Sequence, residues 1–159
     1  MIAALPDPSM LTLAPPSAFT KSVGLRGDRI SFVPEGPLVL VADDHDDSRA
    51  IARVVLENAG FRVLEARTGT ETLQLVYAER PAILLLDIVM PELTGWEVAR
   101  RLRADPVCCK TIIIAVTALA TVHDRELTMA AGCDELLTKP VLPRVLVATL
   151  KYYVNYDPM

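Results

Sequence analysis

The stretch Ile83-Leu84-Leu85-Leu86-Asp87-Ile88-Val89-Met90-Pro91 constrains the fold most. An apolar run without polar alternation predicts a strand buried on both faces, which is the habit of parallel sheets covered by helices. The run ends on a carboxylate, and a Met-Pro turn and a new helix follow. Open α/β sheets bind ligands beyond the carboxyl ends of their strands, so Asp87 belongs at the mouth of a crevice. Asp43-Asp44, Thr117-Ala118 and Lys139-Pro140 also follow apolar runs and should surface on the same edge.

Regular patterning begins at Pro37. Strands are expected over 38–42, 61–65, 82–86, 111–116 and 135–138. Helices are expected over 48–59, from Thr68 to about Glu79, from Thr94 to about Ala104, 120–131, and from Leu142 to about Tyr153. Thr68-x-x-Glu71 and Thr94-x-x-Glu97 are capping boxes, Asp46 or Asp47 should cap the first helix, and Gly60 and Gly132 should close theirs. The first helix should turn Ile51, Val54, Val55 and Asn58-Ala59 inward, and the last Leu142, Val145, Leu146 and Leu150. Five strands alternating with five helices predict an α/β fold with a parallel sheet covered on both faces.

Residues 1–36 differ. Six of the twelve prolines lie at positions 6, 8, 15, 16 and 34 and, at its boundary, 37, and no period persists, so an irregular arm is expected. Ile30 to Val33 could instead add an edge strand. Residues 154–159 form a short tail, and no output domain is expected after the last helix.

The 52% hydrophobic content supports a sizeable core, and a net charge of -4 argues against a nucleic-acid-binding surface. Arg100-Arg101-Leu102-Arg103 reads as one solvated helix face. Cys108, Cys109 and Cys133 have neither disulfide-framework nor metal spacing, which suits reduced thiols in the cytoplasm. No apolar run approaches the ~18 residues of a membrane span, and the N-terminus lacks the basic start of a signal peptide. His45 and His123 read as solvated side chains, Trp96 as packing near the crevice, and Tyr152, Tyr153 and Tyr156 as a contact surface.

If Asp43, Asp44 and Asp87 meet, their charges repel unless a cation intervenes. Mg²⁺ suits such a set, since it takes oxygen ligands and retains waters. A carboxylate can also attack phosphorus to form an aspartyl-phosphate, whose charge Lys139 and the metal would stabilise. The Thr117 hydroxyl could donate to a phosphoryl oxygen.

Residues from about 37 to 153 resemble a receiver domain of the two-component response-regulator family. The matching stretches are 39–44, 86–97, 115–120, 130–134 and 138–140. The resemblance implies a flavodoxin-like (βα)5 fold with strand order 2-1-3-4-5. It makes Asp87 the phosphoacceptor, with Mg²⁺ held by Asp43, Asp44, Asp87 and the Val89 carbonyl. Thr117 becomes the switch hydroxyl, Lys139 pairs with the acceptor or its phosphate, and the Lys139–Pro140 bond is expected to be cis. The phosphoryl donor would be a histidine kinase or histidine phosphotransfer protein. Docking to an unknown protein or phosphorelay would carry the signal, no separate substrate would be turned over, and homodimerisation stays open.

Two departures from the family pattern matter. Leu136 stands where receivers usually carry an aromatic switch residue, and Val89 and Leu119 are apolar where relatives place polar groups that position the hydrolytic water. Slow self-dephosphorylation is therefore expected. Two other classes compete. Asp44-His45-Asp46 superficially resembles the Asp-x-Asp of haloacid-dehalogenase-type phosphohydrolases, which need more chain and leave Asp87 without a role. A phosphate-independent adaptor would not need the acidic set.

Overall fold

The structure, a computed structural model, describes residues 35–155. The expected arm, the edge strand over 30–33, the last residues of the tail and Tyr156 lie outside them, wholly or nearly so. Ten elements alternate: β1 (Leu38–Ala42), α1 (Asp46–Asn58), β2 (Arg62–Ala66), α2 (Gly69–Glu79), β3 (Ile83–Leu86), α3 (Gly95–Ala104), β4 (Ile112–Thr117), α4 (Val122–Ala130), β5 (Glu135–Thr138) and α5 (Pro143–Asn155). The strands form one parallel sheet in the order β2-β1-β3-β4-β5, as expected for a doubly wound flavodoxin-like fold.

Strand alternation divides the core in two. Leu40, Ala42, Leu84, Leu86, Ile113 and Ala115 meet Leu73, Val76, Val98 and Leu102 from α2 and α3. Val39, Val41, Ile83, Leu85 and Ile114 meet Leu56 of α1 and Leu146 and Leu150 of α5. β3 is buried throughout, which is why its sequence shows no polar alternation.

Several local expectations need correction. α1 starts at Asp46 behind His45, and neither Asp46 nor Asp47 caps it. The turn is closed instead by Asp43, whose Oδ1 accepts the His45 N–H at 2.9 Å. Its inner stripe is Arg49, Ala52, Val55 and Leu56, while Ile51 and Val54 are exposed. Apolar residues at 51, 54, 55 and 56 cover more than one face, so pattern alone could not fix the phase, and a buried arginine counted as polar. α5 begins at Pro143, which leaves Leu142 and Val145 exposed and turns Leu146, Leu150 and Tyr153 inward. Strands β2, β3 and β4 each start one residue later than expected.

The capping signals fare better. Thr94 and Glu97 complete a reciprocal box at α3, and Thr121 with Asp124 forms a box at α4 that the sequence reading missed. Thr68 caps α2 by accepting from Glu71, but Glu71 returns its bond to the Arg67 N–H. At the end of α4, Gly132 adopts φ +103°. Its N–H reaches the Met129 carbonyl at 3.1 Å, and Cys133 N–H reaches that of Thr128 at 3.3 Å, a Schellman closure.

Arg103 is not part of a solvated face. Its Nε donates to the Gly132 carbonyl at 2.7 Å, its Nη1 to those of Cys109 (2.8 Å) and Thr111 (2.6 Å), and its Nη2 to Asp134 Oδ2 (2.7 Å). One guanidinium thus ties the loop before β4 to the loop before β5.

Candidate functional site

The carboxyl ends of β1, β3 and β4 bring the chemistry together. The Ala42 carbonyl accepts the Asp87 N–H at 2.9 Å, and the Thr117 carbonyl accepts the Lys139 N–H at 2.9 Å. Backbone pairing therefore sets Asp87 beside the end of β1 and Lys139 beside the end of β4. Gly95, opening α3, keeps the acid in place from below. A Cβ there would stand 2.4 Å from the Asp87 carbonyl oxygen and 2.8 Å from Ile88 Cα, closer than atoms can pack.

The side chains converge on one ammonium. Lys139 Nζ donates to Asp43 Oδ2 at 2.6 Å and to Asp87 Oδ2 at 3.0 Å. The other oxygens serve the turns: Asp43 Oδ1 takes the His45 N–H, and Asp87 Oδ1 takes that of Val89 at 3.1 Å. Asp43 and Asp87 are buried, whereas Asp44 reaches solvent. His45 lies on the rim as expected, yet its Nδ1 stands 3.2 Å from Asp43 Oδ1 and 3.0 Å from Asp44 Oδ1. Burial pushes the Asp43 carboxyl up, but bonds from Lys139 and the His45 N–H outweigh it and hold the group below the ordinary carboxylate value. Burial likewise works against the Lys139 ammonium, and its bonds to Asp43 and Asp87 override that and raise its value.

Thr117 ends β4 fully buried, and its Oγ1 accepts the Leu119 N–H at 3.2 Å. Val89 turns its side chain to solvent beside Asp87. The Lys139–Pro140 bond is cis. Leu136 is buried in the core, and Trp96 packs against that core while its indole N–H bonds Thr128 Oγ1 at 3.0 Å.

One oxygen from each of Asp43, Asp44 and Asp87, together with a His45 nitrogen, lies within 4.8 Å of the others. Three carboxylates offering hard oxygen donors fit a small divalent cation, and carboxylate oxygens already bonded to Lys139 keep lone pairs for it.

Two features escaped the sequence reading. A cavity of about 430 Å³ opens beside the acids between α1 and α5, with Asp43, Asp87 and Lys139 at its polar end and Ile51, Val55 and Leu146 among its apolar walls. Arg49 is 3% exposed, and its Nη1 donates to the Asp43 carbonyl at 2.7 Å. An arginine on the apolar face of α1, six residues past the first acid, was the signal available for it.

The response regulator receiver domain profile matches residues 39–151. The chain belongs to that family. It is 32% identical to the polar-differentiation response regulator DivK of Brucella anthropi over 74% of this chain and 95% of DivK. It is 35% identical to the phosphate regulon transcriptional regulatory protein PhoB of Pseudomonas aeruginosa, over 73% of this chain and 51% of PhoB. Among solved structures, the chemotaxis response regulator CheY4 of Vibrio cholerae superposes with a TM-score of 0.70 at 28% identity, covering 74% of this chain and 98% of that one. Receiver domains are partners of histidine kinases or phosphotransfer proteins, act as phosphoacceptors, and work in two-component signalling. Among the described residues, no helix is long and apolar enough to cross a membrane.

Proposed function

We propose that this chain is a response regulator whose receiver domain spans 37–153, with 1–36 as an arm and 154–159 as a tail, and that it accepts a phosphoryl group on Asp87. The observation that carries the reading is the placement of Lys139 Nζ between Asp43 and Asp87, 2.6 and 3.0 Å from their oxygens. An Asp87 carboxylate oxygen attacks the phosphorus of a partner's phosphohistidine. The new P–O bond forms as the P–N bond breaks, and the imidazole leaves with a proton. Asp43, Asp44, Asp87 and the Val89 carbonyl would hold Mg²⁺, which supplies positive charge to the phosphoryl oxygens.

This chain's own groups do the rest. Lys139 holds the acceptor carboxylate in the crevice and shifts its bonds to the phosphoryl oxygens as charge arrives. Thr117 donates its hydroxyl proton to the same group, while its oxygen accepts the Leu119 N–H. Buried Leu136 supplies no rotating ring to report the phosphoryl group. The signal leaves by docking or by relay, in the cytoplasm, without turnover of a separate substrate.

The test is mass spectrometry after acetyl phosphate and Mg²⁺ treatment. One phosphoryl group per chain, absent from Asp87→Ala, is the expected result. Turnover of many equivalents would indicate a phosphohydrolase, and no label an adaptor.

A further inference from the structure

Arg49 is among the few charged side chains buried in the described chain, and nothing in the phosphoacceptor chemistry uses it directly. We propose that Arg49 is a positioning residue for the metal site: by gripping the Asp43 carbonyl at 2.7 Å it orients the peptide that carries Asp44. This inference rests on the proposed Mg²⁺ site and deepens it.

The geometry of the 43–44 peptide shows why a grip is needed there. The Asp43 N–H is bonded to the Ala66 carbonyl at 3.1 Å, which extends the β1–β2 ladder by one residue. The Asp43 carboxylate is held from two sides, by Lys139 and by the His45 N–H. Its carbonyl lies beyond the last strand pairing, and a buried carbonyl without a donor is costly. Arg49 supplies that donor from the first turns of α1. The same plane sets where Asp44 begins, and among the described residues the ion-pair partner of the Asp44 carboxylate is the exposed His45 ring. Its aim therefore depends on the backbone behind it.

The arginine is itself secured. Its Nη2 bonds Asp46, and its Nε stands 3.6 Å from Glu65 Oε1 on β2. A planar guanidinium spreads its donors over the span between the carbonyl and the two acids, whereas an ammonium concentrates its three on one nitrogen. The grip thus connects the β1–α1 turn to the sheet edge, and partners behind a metal's ligands commonly tune affinity by about 10–100-fold.

The experiment is Mg²⁺ titration calorimetry on the full chain, with thermal melting run in parallel, for Arg49→Met, Arg49→Lys and the control Arg53→Met. Arg53 also pairs with Glu65, at 2.6 Å, and among the described residues that acid is its ion-pair partner, whereas Arg49 in addition grips the Asp43 carbonyl. A folded Arg49→Met or Arg49→Lys chain should bind Mg²⁺ on the order of tenfold more weakly. Arg53→Met should stay within about twofold of the native chain. In the metal-free protein the Asp44 amide resonance should shift in Arg49→Lys, a change that stability alone does not produce. A folded Arg49→Met chain with native Mg²⁺ affinity overturns the proposal. If only the lysine variant folds, native affinity in it does the same. Loss of folding in both, or an equal loss of affinity in Arg53→Met, makes the arginine purely structural and also overturns it. A native chain without Mg²⁺ affinity would instead sink the metal site itself, a result distinct from any of these.

Discussion

Lys139 and Asp43 meet across 96 positions of sequence, Nζ 2.6 Å from Oδ2. The contact joins the ends of β1 and β5, two strands that are not neighbours in the sheet. Between them lie β3 and β4, and the ammonium also reaches Asp87 at the end of β3. It is the local answer to placing two buried carboxylates side by side.

Removing that ammonium should expose the repulsion it masks. Lys139→Met should lose about 1–3 kcal/mol at neutral pH, the cost of leaving buried polar groups unpaired, and should not accept phosphate. Asp43 sits below its ordinary value, so its contribution is present above about pH 4 and is lost as pH falls through the folded value. Lys139 sits above its ordinary value, so its share is present below about pH 10 and is lost as pH rises through the folded value. The native and variant melting midpoints should therefore converge at both extremes. Added Mg²⁺ should raise the variant's midpoint more than the native chain's, since it takes over the missing charge. Equal midpoints at neutral pH would deny the bridge any stabilising role.

Arg103→Met should cost about 2–4 kcal/mol, because three carbonyls and one carboxylate lose a charged donor together. Asp87 is not among its partners, so the rate of labelling by acetyl phosphate should stay near native at temperatures where the variant is folded. Urea unfolding measures the first effect and mass spectrometry the second. A loss below about 0.5 kcal/mol would return Arg103 to the ordinary surface class.

Tyr153 offers a pH test away from the site. Its single hydroxyl proton faces two acceptors, the Asp134 carbonyl at 3.2 Å and Glu135 Oε2 at 3.4 Å. Burial first, and then the Glu135 charge, push its phenol up to about 12. A raised value means that the folded chain holds the proton more tightly. The contribution is thus present below the ordinary tyrosine value of about 10 and is lost between about 10 and 12. Ultraviolet titration should show one late phenolate transition that is missing from Tyr153→Phe. Its appearance together with the other tyrosines would contradict the assignment.

Much of this architecture is legible in the chain because backbone and burial impose regular patterns. The unbroken run at 83–86 announces a two-sided strand, and Thr94-x-x-Glu97 announces a helix start. Lys139 and Asp43 are legible as strand-end residues, and parallel strands place such ends on one edge. What stays hidden are side chains whose partners are backbone carbonyls. Arg49 and Arg103 look like solvent-facing charges, since a carbonyl leaves no residue-type signature. The phase of α1 and the exposure of Leu142 and Val145 are hidden for a related reason. Apolar residues on more than one face give periodicity no single answer, and packing decides.

The lifetime of the proposed phosphoryl group depends on who can steer water to it. Val89 lies beside Asp87, is 60% exposed, and offers Asp87 only a backbone N–H. Leu119 packs partly against the core and offers Thr117 only its own N–H. Neither side chain can orient a hydrolytic water by hydrogen bonding. The Val89→Asn, Leu119→Glu double variant places an amide and a carboxylate at these two positions. It should lose its phosphoryl group on the order of tenfold faster, a modest share of what positioned acid–base groups contribute. The measurement is decay of the labelled species in Mg²⁺ buffer after the donor is removed. Both positions lie outside the buried core residues, so melting midpoints should stay close and any difference in decay belongs to the site. A native chain that loses its label within seconds, or a variant that decays no faster, would remove the two apolar side chains from the account of phosphoryl lifetime.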